Sequence, residues 1–214
     1  MTLVALSAAY GAAGSHIAPA LAQRLGVPFV DRAIPLAVAD RLDIPIEDAL
    51  AHEERATGSL LERLLSGFRG ADTGAPAPLP PDVVSAEDFH RVSQEVLRSR
   101  AATGEGVILG RGAVAALRDD PRVLRVRLTG PVQRRIEQAL RLGAPDRDAA
   151  KRALRQLDRA HADYLRQFYD VDIDDASLYH LVIDATAFAP EIVVDLIARA
   201  AVEMEARRAA ASSH

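Results

Sequence analysis

At 214 residues, 49% of them hydrophobic, the chain is long enough for one medium domain with a sizeable buried core. With no cysteine it can form neither disulfides nor thiolate metal sites, and no stretch has the length and apolarity of a membrane span. A net charge of -4 argues against general nucleic-acid binding, and a start that is neither basic nor strongly apolar places the expected protein in the cytoplasm.

The chain opens on the short apolar strand Thr2–Leu6. A loop of small residues follows, Ser7-Ala8-Ala9-Tyr10-Gly11-Ala12-Ala13-Gly14-Ser15-His16, leading into a helix over Ser15–Leu25. A strand feeding such a loop at a helix start can cradle an anion, because unpaired backbone N–H groups and the helix dipole converge there. The usual phosphate loop adds a lysine for the β/γ-phosphates and a hydroxyl for magnesium. Ser15 can supply the hydroxyl, but Gly14 stands in the lysine's place. Lys151 is the only lysine in the chain, so phosphate charge has to be met by arginine. Taken alone, the loop fits equally well as an ordinary strand-to-helix turn.

Further strands are expected at Val27–Val30, Gly106–Leu109, Val123–Leu128 and Tyr179–Ile183, each short, apolar and bounded by Gly, Pro or Asp. Helical patterns lie between and after them at Ile46–Ala51, Ser59–Phe68, Ala86–Thr103, Val132–Leu142, Asp148–Phe168 and Pro190–Arg207. This alternation predicts an α/β fold, with a parallel sheet of about five strands covered by helices on both faces. The segment Arg69–Pro81 is rich in Pro, Gly and Ala and reads as a mobile loop, poorly ordered without ligand; residues 209–214 read as a frayed tail.

Other residues also suggest chemistry. Asp31 ends the second strand, where an acid either points into the ligand crevice of an open α/β sheet or caps the next helix. Arg111 follows the third strand between Gly110 and Gly112, placed either to fork onto a phosphate or to pair at the surface. In the long helix Arg152, Arg155, Arg159 and Arg166 fall at offsets 0, 3, 7 and 14, on one stripe. Apart from Asp163 the stripe is all arginine. Such a face is either solvated or joined by an anion, and the mutual repulsion of the arginines favours polyphosphate contact.

Together these segments resemble the cytidylate kinase-like family, within the nucleoside monophosphate kinases of the P-loop class, over most of the chain. The stretch from Ser7 to Ala18 is similar to the family's variant loop S-R-x-Y-G-S-G-G-R-x-I-A, which also lacks the lysine. Leu25-Gly26-Val27-Pro28-Phe29-Val30-Asp31-Arg32 resembles L-G-I-P-[YF]-[YF]-D-[RK], and Val107-Ile108-Leu109-Gly110-Arg111-Gly112 resembles V-I-V-G-R. Asp158-Arg159 with Tyr164, then Tyr169 and Tyr179-His180-Leu181-Val182-Ile183, resemble the blocks D-x-x-R-x-x-Y-x-x-x-Y and Y-D-L-V-[IL]-N. The departures are Ala12 and Ala13 for Ser and Gly, Ser15 for Arg, and Gly112 where cytidylate kinases carry an Asp after G-R.

The resemblance implies a three-layer P-loop kinase fold in one domain over residues 1–208. An acceptor-binding insertion would span about 32–105 and a lid about 143–170. It also implies ATP-dependent phosphorylation of a nucleoside monophosphate, CMP or dCMP foremost, with ATP and Mg²⁺ as cofactors. On this reading Gly11, Ala12, Ala13, Gly14, Ser15 and His16 bind the donor phosphates, and Ser15 also enters the magnesium shell. Asp31 and Arg111 hold the acceptor, while Arg155 and Arg159 close over the transferring group as catalytic lid arginines. A nucleotide-binding regulator without turnover, or a kinase of another small acceptor, is the alternative. The expected partner is a small-molecule nucleotide, with neither nucleic acid nor membrane, and the expected state is monomer or homodimer.

Overall fold

The computed structural model describes residues 3–30, 86–110 and 112–211. The helices expected at Ile46–Ala51 and Ser59–Phe68, the loop 69–81, Asp31 and Arg111 lie outside the described residues. In chain order the elements are β1 (Leu3–Ala8), α1 (Gly14–Leu25), β2 (Phe29–Val30), α2 (Ala86–Ala102), β3 (Gly106–Leu109) and α3 (Ala113–Ala116). They continue with β4 (Val123–Thr129), α4 (Val132–Arg141), α5 (Arg147–Tyr169), a 3₁₀ turn (Ala176–Leu178), β5 (Leu181–Asp184) and α6 (Pro190–Ala211).

The five strands form one all-parallel sheet in the order β2-β3-β1-β4-β5. Strand β1 is central, and its registers with β3 and β4 explain why. Leu3 to Leu6 pair with Gly106 to Leu109 on one side, and Leu3 to Ala8 pair with Val123 to Leu128 on the other. Successive side chains alternate between faces. Val4, Leu6, Val107, Val126 and Leu128 pack with Ile17 and Leu21 of α1 and with Val193 and Ile197 of α6. Leu3, Ala5, Ile108 and Val123 pack with Val92, Val96 and Leu97 of α2 and Val114 of α3. A smaller cluster of Ile136, Ala139, Ala150 and Leu154 joins α4 to α5.

The elements match the expected alternation, with shifts at the ends. Strand β1 runs two residues past Leu6, because Ser7 and Ala8 still pair with Arg127 and Leu128. Strand β5 begins at Leu181 because the 3₁₀ turn uses the residues just before it. Helix α6 continues to Ala211, so residues 209–211 are helical rather than frayed. In this order the carboxyl end of β1 opens into the crevice between β3 and β4, where the chain reverses direction across the sheet and ligands of open α/β sheets bind.

Candidate active site

The loop after β1 forms one wall of a cavity of about 870 Å³. Gly110 and Gly112 beyond β3 contribute a second side, and the α4–α5 connection with the inner face of α5 closes it. Backbone shape in the loop comes from two residues in the left-handed region, Gly11 (φ 76°) and Ala13 (φ 57°). A Cβ at Gly11 would lie 2.2 Å from the carbonyl oxygen of Arg135, so only glycine fits under α4. Ala12 is fully buried, and its N–H donates to the Ala9 carbonyl at 3.0 Å. Among the described residues, the N–H groups of Gly11, Ala13, Gly14 and Ser15 donate to no backbone carbonyl. All four residues line the cavity, and backbone donors without backbone partners at a helix start are the groups from which an anion cradle is built.

Gly14 explains the missing lysine. A Cβ there would sit 2.4 Å from the Cβ of Ala8, so the first turn of α1 is pressed directly onto β1. Ser15 is exposed at that turn, with its Oγ 3.3 Å from Nδ1 of His16, and both residues line the cavity. A single hydroxyl beside these donors fits a magnesium ion carried in by a polyphosphate. No group of three or more acidic or histidine side chains able to hold a metal occurs among the described residues.

Of the arginine stripe on α5, only Arg152 lines the cavity. The cavity side of the helix carries Ala149, Ala153, Leu157, His161 and Tyr164, and at about 100° per residue Arg152 falls on its border. Arg155 and Arg159 fall on the far side and are exposed, Arg159 by 84%. Asp163 lies 3.5 Å from Arg159 and 3.8 Å from Arg166, so the stripe's repulsion is relieved by a carboxylate on the same helix without any anion. The structure therefore brings Gly11, Ala13, Gly14, Ser15 and His16 together with Arg152, and leaves Arg155, Arg159 and the Ala12 side chain outside the cavity.

Three further residues frame the site. Arg135 of α4, 7% exposed, donates to the Tyr10 carbonyl (3.0 Å), the Gly130 carbonyl (3.0 Å) and Asp158 of α5 (2.6 Å). Arg127 of β4 is buried beneath the loop, with Nη1 donating to Ser7 Oγ at 2.8 Å. The one sequence signal for it was the alternation in Val123-Leu124-Arg125-Val126-Arg127-Leu128, which places an arginine on an inward face. The third is Tyr169, whose ring fills the space at Gly112. A Cβ at Gly112 would lie 2.6 Å from Tyr169 Cε2, on a backbone with φ 67°. That contact accounts for glycine where cytidylate kinases have an aspartate.

His161 lines the cavity between Arg127 and Asp158, and its pKa is lowered to about 4 by burial first and the Arg127 charge second, against the pull of Asp158. An unfolded chain protonates this histidine near its ordinary value of about 6.5, so it binds the proton more readily than the folded protein does. Stability is therefore expected to fall as pH drops from about 6.5 towards 4, by about 2–3 kcal/mol for this group. Urea unfolding of the wild type and His161→Gln across that range checks it. A pH slope identical in both proteins would contradict the assignment.

The model for the cytidylate kinase-like family matches residues 3–187. No curated protein matches the sequence. Among solved structures, an uncharacterized protein from Eubacterium ventriosum ATCC 27560 superposes with a TM-score of 0.63 at 15% identity, covering 93% of this chain and 97% of that one. A gluconokinase from Sinorhizobium meliloti 1021 gives a TM-score of 0.52 at 16% identity over 100% of this chain and 98% of its own. The fold is that of the P-loop kinases.

Proposed function

The chain belongs to the cytidylate kinase-like family, and from that premise we propose that it transfers the γ-phosphoryl group of ATP to a nucleoside monophosphate, with CMP or dCMP as the first acceptors. The observation that carries this reading is a loop in which four N–H groups donate to no backbone carbonyl among the described residues, lining a cavity that Arg152 also lines. Phosphoryl transfer asks a protein mainly for positioning and charge neutralisation. The N–H groups of Gly11, Ala13, Gly14 and Ser15 hold the donor phosphates at the helix start, with His16 beside them. Magnesium, held at the Ser15 hydroxyl, would offset phosphate charge when bound. An acceptor phosphate oxygen attacks the γ-phosphorus, the bond to the β–γ bridging oxygen breaks, and ADP leaves with the electron pair. Arg152, which lines the cavity, neutralises the charge on the transferring group, the role that the sequence alone assigns to Arg155 and Arg159. Arg111 and Asp31, which follow β3 and β2 in the sequence, bind the acceptor.

A regulator that binds nucleotide without turnover is the second reading, favoured by the fact that Gly14 has no room for a lysine. ADP release from ATP, measured with CMP, dCMP, the other common nucleoside monophosphates and gluconate in turn, separates the two. The proposal expects release that depends on CMP or dCMP. ATP binding with no acceptor-dependent release would leave the regulator. In the active protein, Arg111→Ala should lower kcat/KM for the acceptor by about 2–4 kcal/mol with ATP binding unchanged.

A further inference from the structure

The phosphate loop carries no lysine or arginine of its own, and between Tyr10 and Ser15 it is built from glycine and alanine alone. Ala9, Gly11, Ala12, Ala13 and Gly14 offer methyl groups or less, and among the described residues four of the loop's N–H groups donate to no backbone carbonyl, which favours a relaxed loop over an ordered one. Its brace comes from elsewhere in the chain. Asp158 Oδ1 on α5 accepts the Tyr10 N–H at 2.9 Å, across 148 residues of sequence. Asp158 Oδ2 accepts Arg135 Nη1 at 2.6 Å, and the same nitrogen donates to the Tyr10 carbonyl at 3.0 Å. Both backbone polar groups of Tyr10 are thus held by one ion pair. Arg135 is in turn fixed by the Gly130 carbonyl, and its own carbonyl sits over Gly11 where a Cβ would be.

The side chains of Arg135 and Asp158 are 8% and 27% exposed, so this pair is screened far less than the surface pairs of α5. It ties three elements together: the loop, the start of α4, and the helix that carries Arg152 and His161 into the cavity. We infer that Asp158 is a positioning residue that, through Arg135 and Tyr10, holds the phosphate loop in its anion-receptive shape. The loop therefore binds phosphate only while α5 is docked on it. The brace is supplied by α5 and the start of α4. The inference rests on the proposed reading of the loop as a phosphate cradle.

The test uses the full chain and two readouts. Amide hydrogen exchange over residues 10–15 is followed without ligand, and binding of inorganic tripolyphosphate is measured by calorimetry. Asp158→Ala should speed exchange in the loop, and weaken tripolyphosphate, by about 10-fold or more, since ordering the loop then has to be done by the ligand. Asp158→Asn keeps one oxygen for the Tyr10 N–H and loses the charge facing Arg135, so it should fall between wild type and the alanine variant. It also serves as the test should the alanine variant not fold. A purely structural role would lower the melting temperature and leave loop exchange and tripolyphosphate affinity at wild-type values in the folded protein, and that result overturns the inference. Wild-type protein that fails to bind tripolyphosphate sinks the phosphate-cradle reading instead. Loop exchange alone then decides the brace, and unchanged exchange in the variants overturns it.

Discussion

Restoring a lysine to the phosphate loop by Gly14→Lys should weaken ATP binding by about 100-fold or more. The new Cβ would lie 2.4 Å from the Cβ of Ala8, and both atoms are fixed directly to backbone, one at the start of α1 and one at the end of β1. Neither can swing away as the tip of a flexible side chain could. The first turn of α1 has to lift from the sheet, taking the Gly14 and Ser15 N–H groups out of the cradle. Overpacking of this kind costs about 1–3 kcal/mol in stability, while the displaced donors account for the larger loss in affinity. Gly14→Ala should show the same defect without any charge. Ala8→Gly should relieve it in the double variant, because the nearest atom to the new Cβ would then be Leu109 Cδ1 at 3.4 Å, with the Ala8 Cα at 4.0 Å. Calorimetry with ATP on the single and double variants measures this. A Gly14→Lys protein that binds ATP as well as wild type would show that the glycine is not required by packing.

The second large effect belongs to Arg152. If it neutralises charge on the transferring phosphoryl group, Arg152→Ala should slow turnover by about 100-fold or more, because such contacts strengthen in the transition state. Arg152→Lys should recover only part, since an ammonium cannot fork onto two oxygens. Arg155→Ala and Arg159→Ala should leave turnover close to wild type and change stability by less than about 0.5 kcal/mol, as befits exposed positions. Steady-state kinetics on the three alanine variants separates them. Loss of turnover in Arg155→Ala or Arg159→Ala, with Arg152→Ala unaffected, would return the lid role to the outer face of the helix.

The contrast between Arg152 and its neighbours marks how far the sequence could be read. Helical spacing put four arginines on one stripe, and the structure keeps them there. Spacing has no origin, however: it cannot say which edge of the stripe borders a cavity. That edge is fixed by Ala150, Ala153, Leu154 and Leu165, which are buried and set the rotation of α5. The alternation of short apolar runs with helical patterns was enough to give all five strands and their parallel arrangement, because period and length are local properties. The loop was legible for the same reason. What was not legible depends on contacts across the chain. Gly14 answers to Ala8, Gly112 answers to Tyr169, and Tyr10 is held by Asp158. In each case the residue is explained by a partner that no spacing rule brings near it, and for Gly14 and Gly112 that partner accounts for a glycine where a lysine or an aspartate is the usual residue. Arg127 has only the alternation of β4 to mark it, and alternation alone does not say which face of the sheet is buried.

On the proposed reading, a loop without lysine still supports phosphoryl transfer. Phosphorus NMR of wild-type protein with ATP, Mg²⁺ and CMP tests it most directly, since donor and acceptor products are resolved in one spectrum. The account predicts that ADP and CDP appear together in equal amounts, and that Arg152→Ala suppresses both. A spectrum in which ATP persists, or in which ADP grows with inorganic phosphate and no CDP, repeated with dCMP and the other nucleoside monophosphates, would contradict it.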